Sequence, residues 1–233
     1  MSQPKRYCPL CDEWLETEIC SVHSTPTVAE STILDSETTT LDEGLTLAGR
    51  YRIGRLLGQG GMGAVYEAHE ERMGRKVALK ILTRSRLKDP VHLRRFYREA
   101  RAAGSLEHPS IVRVYDFGVD DDTGFPYIAM ECLDGLPLQK LLEETGPLPE
   151  ARAAHLVLQV AQALTEAHAK GIVHRDLKPE NLIVRRLSDG SQQVKVLDFG
   201  VAKIRSLNDE HLQTLTAEGI PIGTPLYMSP EQA

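Results

Sequence analysis

An α+β fold is the fold class this sequence predicts: an antiparallel sheet with one helix, followed by a mostly helical part. Three observations predict it. Strand-like runs at 51–57, 64–69 and 76–82 follow one another with only short glycine-containing turns between them, as antiparallel neighbours do. A single helical stripe, Leu93, Phe96, Tyr97, Ala100 and Ala103, then interrupts the strands. Beyond residue 134 apolar residues recur at helical spacing, chiefly in the long run 149–170. A small cysteine-rich segment stands in front of these elements.

The composition excludes several classes. At 233 residues, 41% hydrophobic and 26% charged, the chain is of globular type and long enough to bury a substantial core. The net charge is −6, and residues 1–50 carry all of it, with three basic against nine acidic side chains. Residues 51–233 hold 24 of each sign, so no basic surface marks a nucleic-acid partner. No apolar run approaches the ~18 residues of a membrane span. Lys5 and Arg6 precede no apolar stretch, so no signal peptide is expected and the protein is expected in the cytoplasm.

Three of the four cysteines crowd into the first 24 residues. Cys8 and Cys11 form C-x2-C; eight residues later Cys20 and His23 form C-x2-H. Two such turns can present four thiolate and imidazole donors to one tetrahedral zinc ion. A segment this short has almost no core, so metal would supply its folding energy. The pattern resembles a minimal zinc ribbon or knuckle over 1–24; the other reading is a loose tail with incidental cysteines. Trp14 and Leu15 are candidates to cap the site or to dock on the next domain. Residues 25–46, rich in Ser, Thr, Asp and Glu, read as a flexible acidic linker.

Order is expected from Leu47 onward. The first strand runs into Gly58, Gly60 and Gly63, spaced as G-x-G-x-x-G. Dinucleotide-binding folds share that spacing, but they open a helix at the third glycine. Here Ala64–His69 continues as a strand, which favours a glycine hairpin whose backbone N–H groups can approach phosphates. The third strand carries Val77-Ala78-Leu79-Lys80. Asp89-Pro90 caps the helix that bears Glu99. Residues 111–117 and 125–131 read as two more strands, and 138–144 as a short helix. The long helix carries Ala153, Leu156, Val157, Val160, Ala161 and Leu164 as its apolar stripe, and Gly171 closes it.

Between that helix and a strand pair lies His174-Arg175-Asp176-Leu177-Lys178-Pro179-Glu180-Asn181. A carboxylate, an ammonium and a carboxamide this close together can serve a hydroxyl nucleophile, a phosphate and a metal ion. Asp198-Phe199-Gly200 supplies a second carboxylate. Together with the glycine hairpin and Lys80, these residues resemble the signature motifs of eukaryotic-type protein kinases. Lys178 and the run Gly223-Thr224-Pro225-Leu226-Tyr227-Met228-Ser229-Pro230-Glu231 resemble the bacterial serine/threonine branch.

The resemblance covers residues 51–233 and implies a bilobal kinase fold, with an N-lobe over 47–131 and a C-lobe from 134. It implies ATP and magnesium (or manganese) as cofactors and protein hydroxyls as substrates. Asp176 would take the substrate proton, Lys178 would neutralise the transferred phosphate, and Asn181 and Asp198 would hold the metal. Lys80, paired with Glu99, would hold the α- and β-phosphates. Leu57, Gly58, Gly60, Gly63, Val65, Ala78, Met130, Glu131, Leu133 and Ile183 would surround the nucleotide, the hinge backbone meeting adenine. His174 is expected to be structural. Thr214 and Thr216, in the activation loop 201–222, are phosphorylation candidates, with self-association for autophosphorylation in trans and Arg175 as a phosphate receiver.

The chain stops two residues after Glu231, whereas kinases of this kind continue with further C-lobe helices. The resemblance therefore implies an incomplete C-lobe with apolar surface left exposed. Two functions stand: a serine/threonine kinase, or the start of one; and a catalytically weak ATP-binding or interaction module. No catalytic residue is substituted.

Overall fold

The computed structural model describes residues 5–30, 41–60, 63–199 and 225–230. These fall into two compact units, Met1–Gly104 with Arg113–Cys132, and Ser105–Val112 with Leu133–Ala233.

The first unit opens with a three-stranded sheet in the order β2-β1-β3, made of β1 (Arg6–Cys8), β2 (Glu13–Leu15) and β3 (Val28–Ala29). The linker expected over 25–46 is thus corrected at its start. Val28 pairs with Tyr7 and is fully buried, and Thr25 and Thr27 are buried too. A two-residue strand among threonines carries too little periodicity to be read from sequence.

A six-stranded sheet comes next, ordered β4-β5-β6-β7-β9-β8. Its strands are β4 (Thr46–Leu47), β5 (Tyr51–Gln59), β6 (Gly63–Glu70), β7 (Arg75–Leu82), β8 (Val114–Val119) and β9 (Pro126–Glu131). All pair antiparallel. A short helix α1 (Arg84–Leu87) leads into α2 (Pro90–Gly104). Asp89 caps α2, its Oδ1 accepting the Val91 N–H at 2.9 Å, as the Asp-Pro pair predicts. Leu93, Phe96, Tyr97, Ala100 and Ala103 are all buried. One apolar cluster joins Leu93, Phe96 and Tyr97 of α2 to Ile53, Leu79 and Ile128 of the large sheet and to Tyr7 and Val28 of the small one.

Gly63 opens β6, and its N–H and C=O exchange hydrogen bonds with Gly60 at 3.3 and 2.9 Å. A Cβ there would lie 2.1 Å from the Ile81 carbonyl oxygen, so only glycine lets β6 start against β7. Gly63→Ala is expected to cost about 1–3 kcal/mol by overpacking, which lowers the melting temperature by about 2–12 °C. Gly60→Ala, which meets nothing within 4 Å, is expected to leave it nearly unchanged. Parallel thermal melts check both.

The second unit holds β10 (Leu136–Pro137), α3 (Leu138–Thr145), α4 (Glu150–Ala169), β11 (Leu182–Arg186) and β12 (Gln192–Val196), with sheet order β10-β11-β12. Residues 111–113, expected in a strand, precede β8. Instead, Ile111 bridges Val196, and the Val112 N–H donates to the Val196 carbonyl at 3.1 Å, so Ser105–Val112 joins this unit. Lys195, buried, adds a bond from Nζ to the Ile111 carbonyl.

The stripe on α4 also differs from expectation. Leu156, Val160, Ala163 and Ala167 are buried, whereas Val157 and Leu158 are 65% and 57% exposed. Gln159 sets this rotation: its Oε1 accepts from the Val194 N–H and its Nε2 donates to the Gln192 carbonyl, docking α4 on β12. Among the described residues no helix is long and apolar enough to cross a membrane.

Candidate active site and metal cluster

In the first unit, strand register assembles one face. Val65 lies opposite Lys80, Lys80 opposite Ile128, and Ala78 opposite Met130. Residues two apart on β7 share a side of the sheet, so Val65, Ala78, Lys80 and Met130 share one. Gly58 pairs with Val65, and Leu57 occupies the register shift just before it, half-exposed. Lys80 Nζ lies 2.5 Å from Glu99 Oε1, each side chain only 10% exposed. A carboxylate and an ammonium this buried persist only as a hydrogen-bonded pair. Glu131 closes the first unit's last strand and Leu133 opens the main stretch of the second.

In the second unit, α4 ends at Ala169 and Gly171 takes φ +72°, turning the chain into the Asp176 loop. His174 is 2% exposed; its Nε2–H donates to the Leu197 carbonyl at 2.8 Å, and its ring packs on Phe199 at 4.9 Å. Burial lowers its pKa, so the ring is neutral and anchors the loop. The Asp176 carboxylate meets Lys178 Nζ at 3.3 Å and Asn181 Nδ2 at 3.2 Å through the same oxygen. Asn181 Nδ2 also donates to the Asp176 carbonyl at 2.8 Å. A short 3-10 turn, Pro179–Asn181, sets this spacing and leads into β11, which carries Ile183.

Asp198 belongs to the same frame. Leu197, just before it, donates its N–H to the Asn181 carbonyl at 2.9 Å and accepts from His174. Arg175 and Asp198 both have left-handed backbone, φ +62° and +47°, a strain of about 1–3 kcal/mol each that concentrates at functional turns. Phe199 is fully buried while Asp198 is exposed, so the motif is pinned by its aromatic residue and presents its acid. Asp176, Lys178 and Asn181 are thus brought together, with Asp198 tethered to them through Leu197. Thr214, Thr216, Thr224 and Glu231 lie outside the described residues.

The four N-terminal donors converge. Their ligand atoms all lie within 4.8 Å of one another. Cys11 Sγ is 3.8 Å from Cys20 Sγ, and His23 Nδ1 is 3.6 Å from Cys20 Sγ and 3.9 Å from Cys8 Sγ. Zn–S and Zn–N bonds of about 2.3 and 2.0 Å at tetrahedral angles require S···S and S···N edges of about 3.8 and 3.5 Å. The donor set therefore fits zinc, and all four cysteines of the chain are free thiols. The two turns repeat each other: the Asp12 N–H returns to the Cys8 carbonyl and the Ser24 N–H to that of Cys20, both with positive φ. Burial pushes the Cys11 thiol up to about 12, helped by hydrogen bonds with Cys8 and Cys20. Burial also opposes ionisation of Cys20, but hydrogen bonds with His23, Cys8 and the Val22 backbone together outweigh it and lower that thiol to about 6.

Trp14 is half-exposed and packs on Tyr7 at 5.4 Å. Sequence reasoning did not reach Arg94. From α2 its Nε donates to the Pro9 carbonyl at 3.0 Å and its Nη2 lies 2.5 Å from Asp12 Oδ2. Its partners are more than eighty residues away, and no local pattern signals such a contact.

The geometry and the comparisons agree on a class. The family model described as protein kinase domain matches residues 51–233, and the chain belongs to the protein kinase family. It is 46% identical over 195 residues to a probable serine/threonine-protein kinase of Streptomyces coelicolor, covering 83% of this chain and 28% of the relative. It is also 46% identical over 190 residues to the serine/threonine-protein kinase pkn3 of Myxococcus xanthus, covering 82% and 34%. The chain thus spans about a third or less of the length of these relatives. Among solved structures, the Mycobacterium tuberculosis PknI kinase domain matches at TM-score 0.59 and 36% identity, over 70% of this chain and 63% of that one. The expected α+β kinase fold is borne out.

Proposed function

We propose that the chain is the catalytic part of a bacterial serine/threonine protein kinase, transferring the γ-phosphate of ATP to protein hydroxyls with magnesium. The observation that carries this reading is the joined arrangement of Asp176, Lys178, Asn181 and Asp198, alongside a formed Lys80–Glu99 pair in the other unit. Asp176 orients the substrate hydroxyl and takes its proton as oxygen attacks the γ-phosphorus and the bond to the β-phosphate breaks, releasing ADP. Lys178 offsets charge on the transferred group. Asn181 and Asp198 are oxygen donors of the kind magnesium takes, and the ion when bound neutralises phosphate charge.

Lys80, paired with Glu99, serves the α- and β-phosphates. Gly58, Gly60 and Gly63 bring backbone close to them, and Leu57, Val65, Ala78, Met130, Glu131, Leu133 and Ile183 contact the nucleoside. Most of the rate comes from positioning and electrostatics. Phosphorylation at Thr214 and Thr216, by a second copy of the chain, belongs to this reading. The test is incubation with γ-labelled ATP and magnesium, followed by phosphoamino-acid analysis. Phosphoserine and phosphothreonine are expected; label on tyrosine, or none, would contradict it.

The Cys8, Cys11, Cys20 and His23 cluster is read as a structural zinc site closed by four protein ligands. Its thiols stay available in a reducing cytoplasm, where the reading places the protein. Metal analysis of the purified chain is expected to find about one zinc per chain. Cys20→Ser is expected to lower zinc affinity and melt the small sheet first, seen as faster amide exchange in residues 5–29. Well under one zinc in the unaltered chain would end this reading.

A further inference from the structure

The helix that carries Glu99 is held from two sides within one unit. On one side, Glu99 reaches Lys80. On the other, Arg94 grips the first cysteine turn by two bonds, to the Pro9 carbonyl and to Asp12. Asp12 is itself fixed by the Tyr7 hydroxyl at 2.5 Å, and Tyr7 is buried in the cluster that contains Phe96 and Tyr97. Tyr97, 1% exposed, lies in that same cluster with Tyr7 and Val28, and its hydroxyl has no hydrogen-bond partner among the described residues. At about 100° per residue, Arg94 and Tyr97 fall within one turn on one face of α2, while Glu99 lies roughly 140–160° away from each.

Pro9 and Asp12 bracket Cys11 in the first ligand turn. Anything that orders that turn therefore orders the Arg94 contact. The first ligand turn is closed by one backbone hydrogen bond, from the Asp12 N–H to the Cys8 carbonyl, and the second by two, from the Ser24 N–H to the Cys20 carbonyl and from the Cys20 N–H to the Thr25 carbonyl; no disulfide joins the two turns, so an ion held by all four ligands would cross-link them.

We propose that the metal-loaded knuckle is a positioning module for the kinase site: through Arg94 and Tyr97 it clamps α2 so that Glu99 stays against Lys80. This rests on the zinc reading above. Arg94 and Tyr97 are positioning residues; neither touches a reacting atom. Losing the metal would free the first turn and with it the side of α2 opposite Glu99. The Lys80–Glu99 pair would then form only part of the time.

The test is amide hydrogen exchange on the full 233-residue chain, with zinc content measured on every sample. Arg94→Ala, with zinc content unchanged, is expected to speed exchange across 90–104 about three- to tenfold, the scale of losing a partly exposed hydrogen-bonded contact. Arg94→Lys, which keeps the charge facing Asp12, is expected to restore much of the protection. Stripping zinc from the unaltered chain is expected to reproduce the Arg94→Ala pattern in 90–104, with residues 182–186 of the other unit as an unchanged reference. One zinc per chain together with unchanged exchange in 90–104 after both Arg94→Ala and zinc removal would overturn the inference and leave the metal reading intact. Absence of zinc from the unaltered chain would overturn both. Loosening of 90–104 by Arg94→Ala but no rescue by Arg94→Lys would reduce Arg94 to a packing residue and also overturn the inference.

Discussion

Asp176→Asn is expected to reduce phosphoryl transfer by about 10²–10⁴-fold, the range by which a positioned proton acceptor accelerates a reaction. The change is nearly isosteric. Asn can keep one contact to Lys178 or Asn181, and the loop is fixed independently by His174 on Leu197 and Phe199. The fold and the ATP affinity are therefore expected to survive. Steady-state kinetics on a protein substrate should show the loss in kcat, with the KM for ATP changed little. A fall in ATP affinity as large as the fall in kcat would mean that Asp176 holds the loop together rather than serving the hydroxyl.

Lys80→Met is expected to strike both stability and activity. It removes the cation facing Glu99 in a pair whose side chains are each only 10% exposed. Breaking a buried pair from one side costs about 3–5 kcal/mol. For a chain of this size that lowers the melting temperature by about 6–20 °C. The double variant Lys80→Met with Glu99→Leu replaces both charges by apolar groups, which is often neutral or better for stability. It should regain most of the melting temperature and none of the phosphoryl transfer. Melting curves and initial rates on the two variants separate the structural role of the pair from its role toward phosphate. Recovery of activity in the double variant would refute that assignment.

The parts of the site readable from sequence were those whose residues sit close together along the chain. His174 to Asn181 is one loop, and eight contiguous residues name its chemistry. Lys80 and Glu99 are nineteen apart, so their 2.5 Å contact came only through resemblance and stands now as geometry. The Cys3His spacing was readable because each ligand pair is local to one turn.

What stayed hidden depends on contacts across long separations. Val28 enters a core more than twenty residues from its partner Tyr7, inside a stretch whose threonines read as linker. Ile111 and Val112 look like the start of a strand that continues to Phe117, while their backbone partner is Val196. On α4 the sequence shows apolar residues on more than half of the helix, and only the Gln159 bonds to β12 decide that Val157 faces outward. Arg94 had no sequence signal at all, because a helical arginine is ordinarily a solvated charge.

The central claim, that this constellation transfers phosphate to serine and threonine hydroxyls, is tested most directly by one paired measurement. The purified chain and its Asp176→Asn variant are each incubated with γ-labelled ATP and magnesium, and label incorporated into protein is counted over time. The account predicts steady incorporation by the unaltered chain and background from the variant. Equal label in both would contradict it.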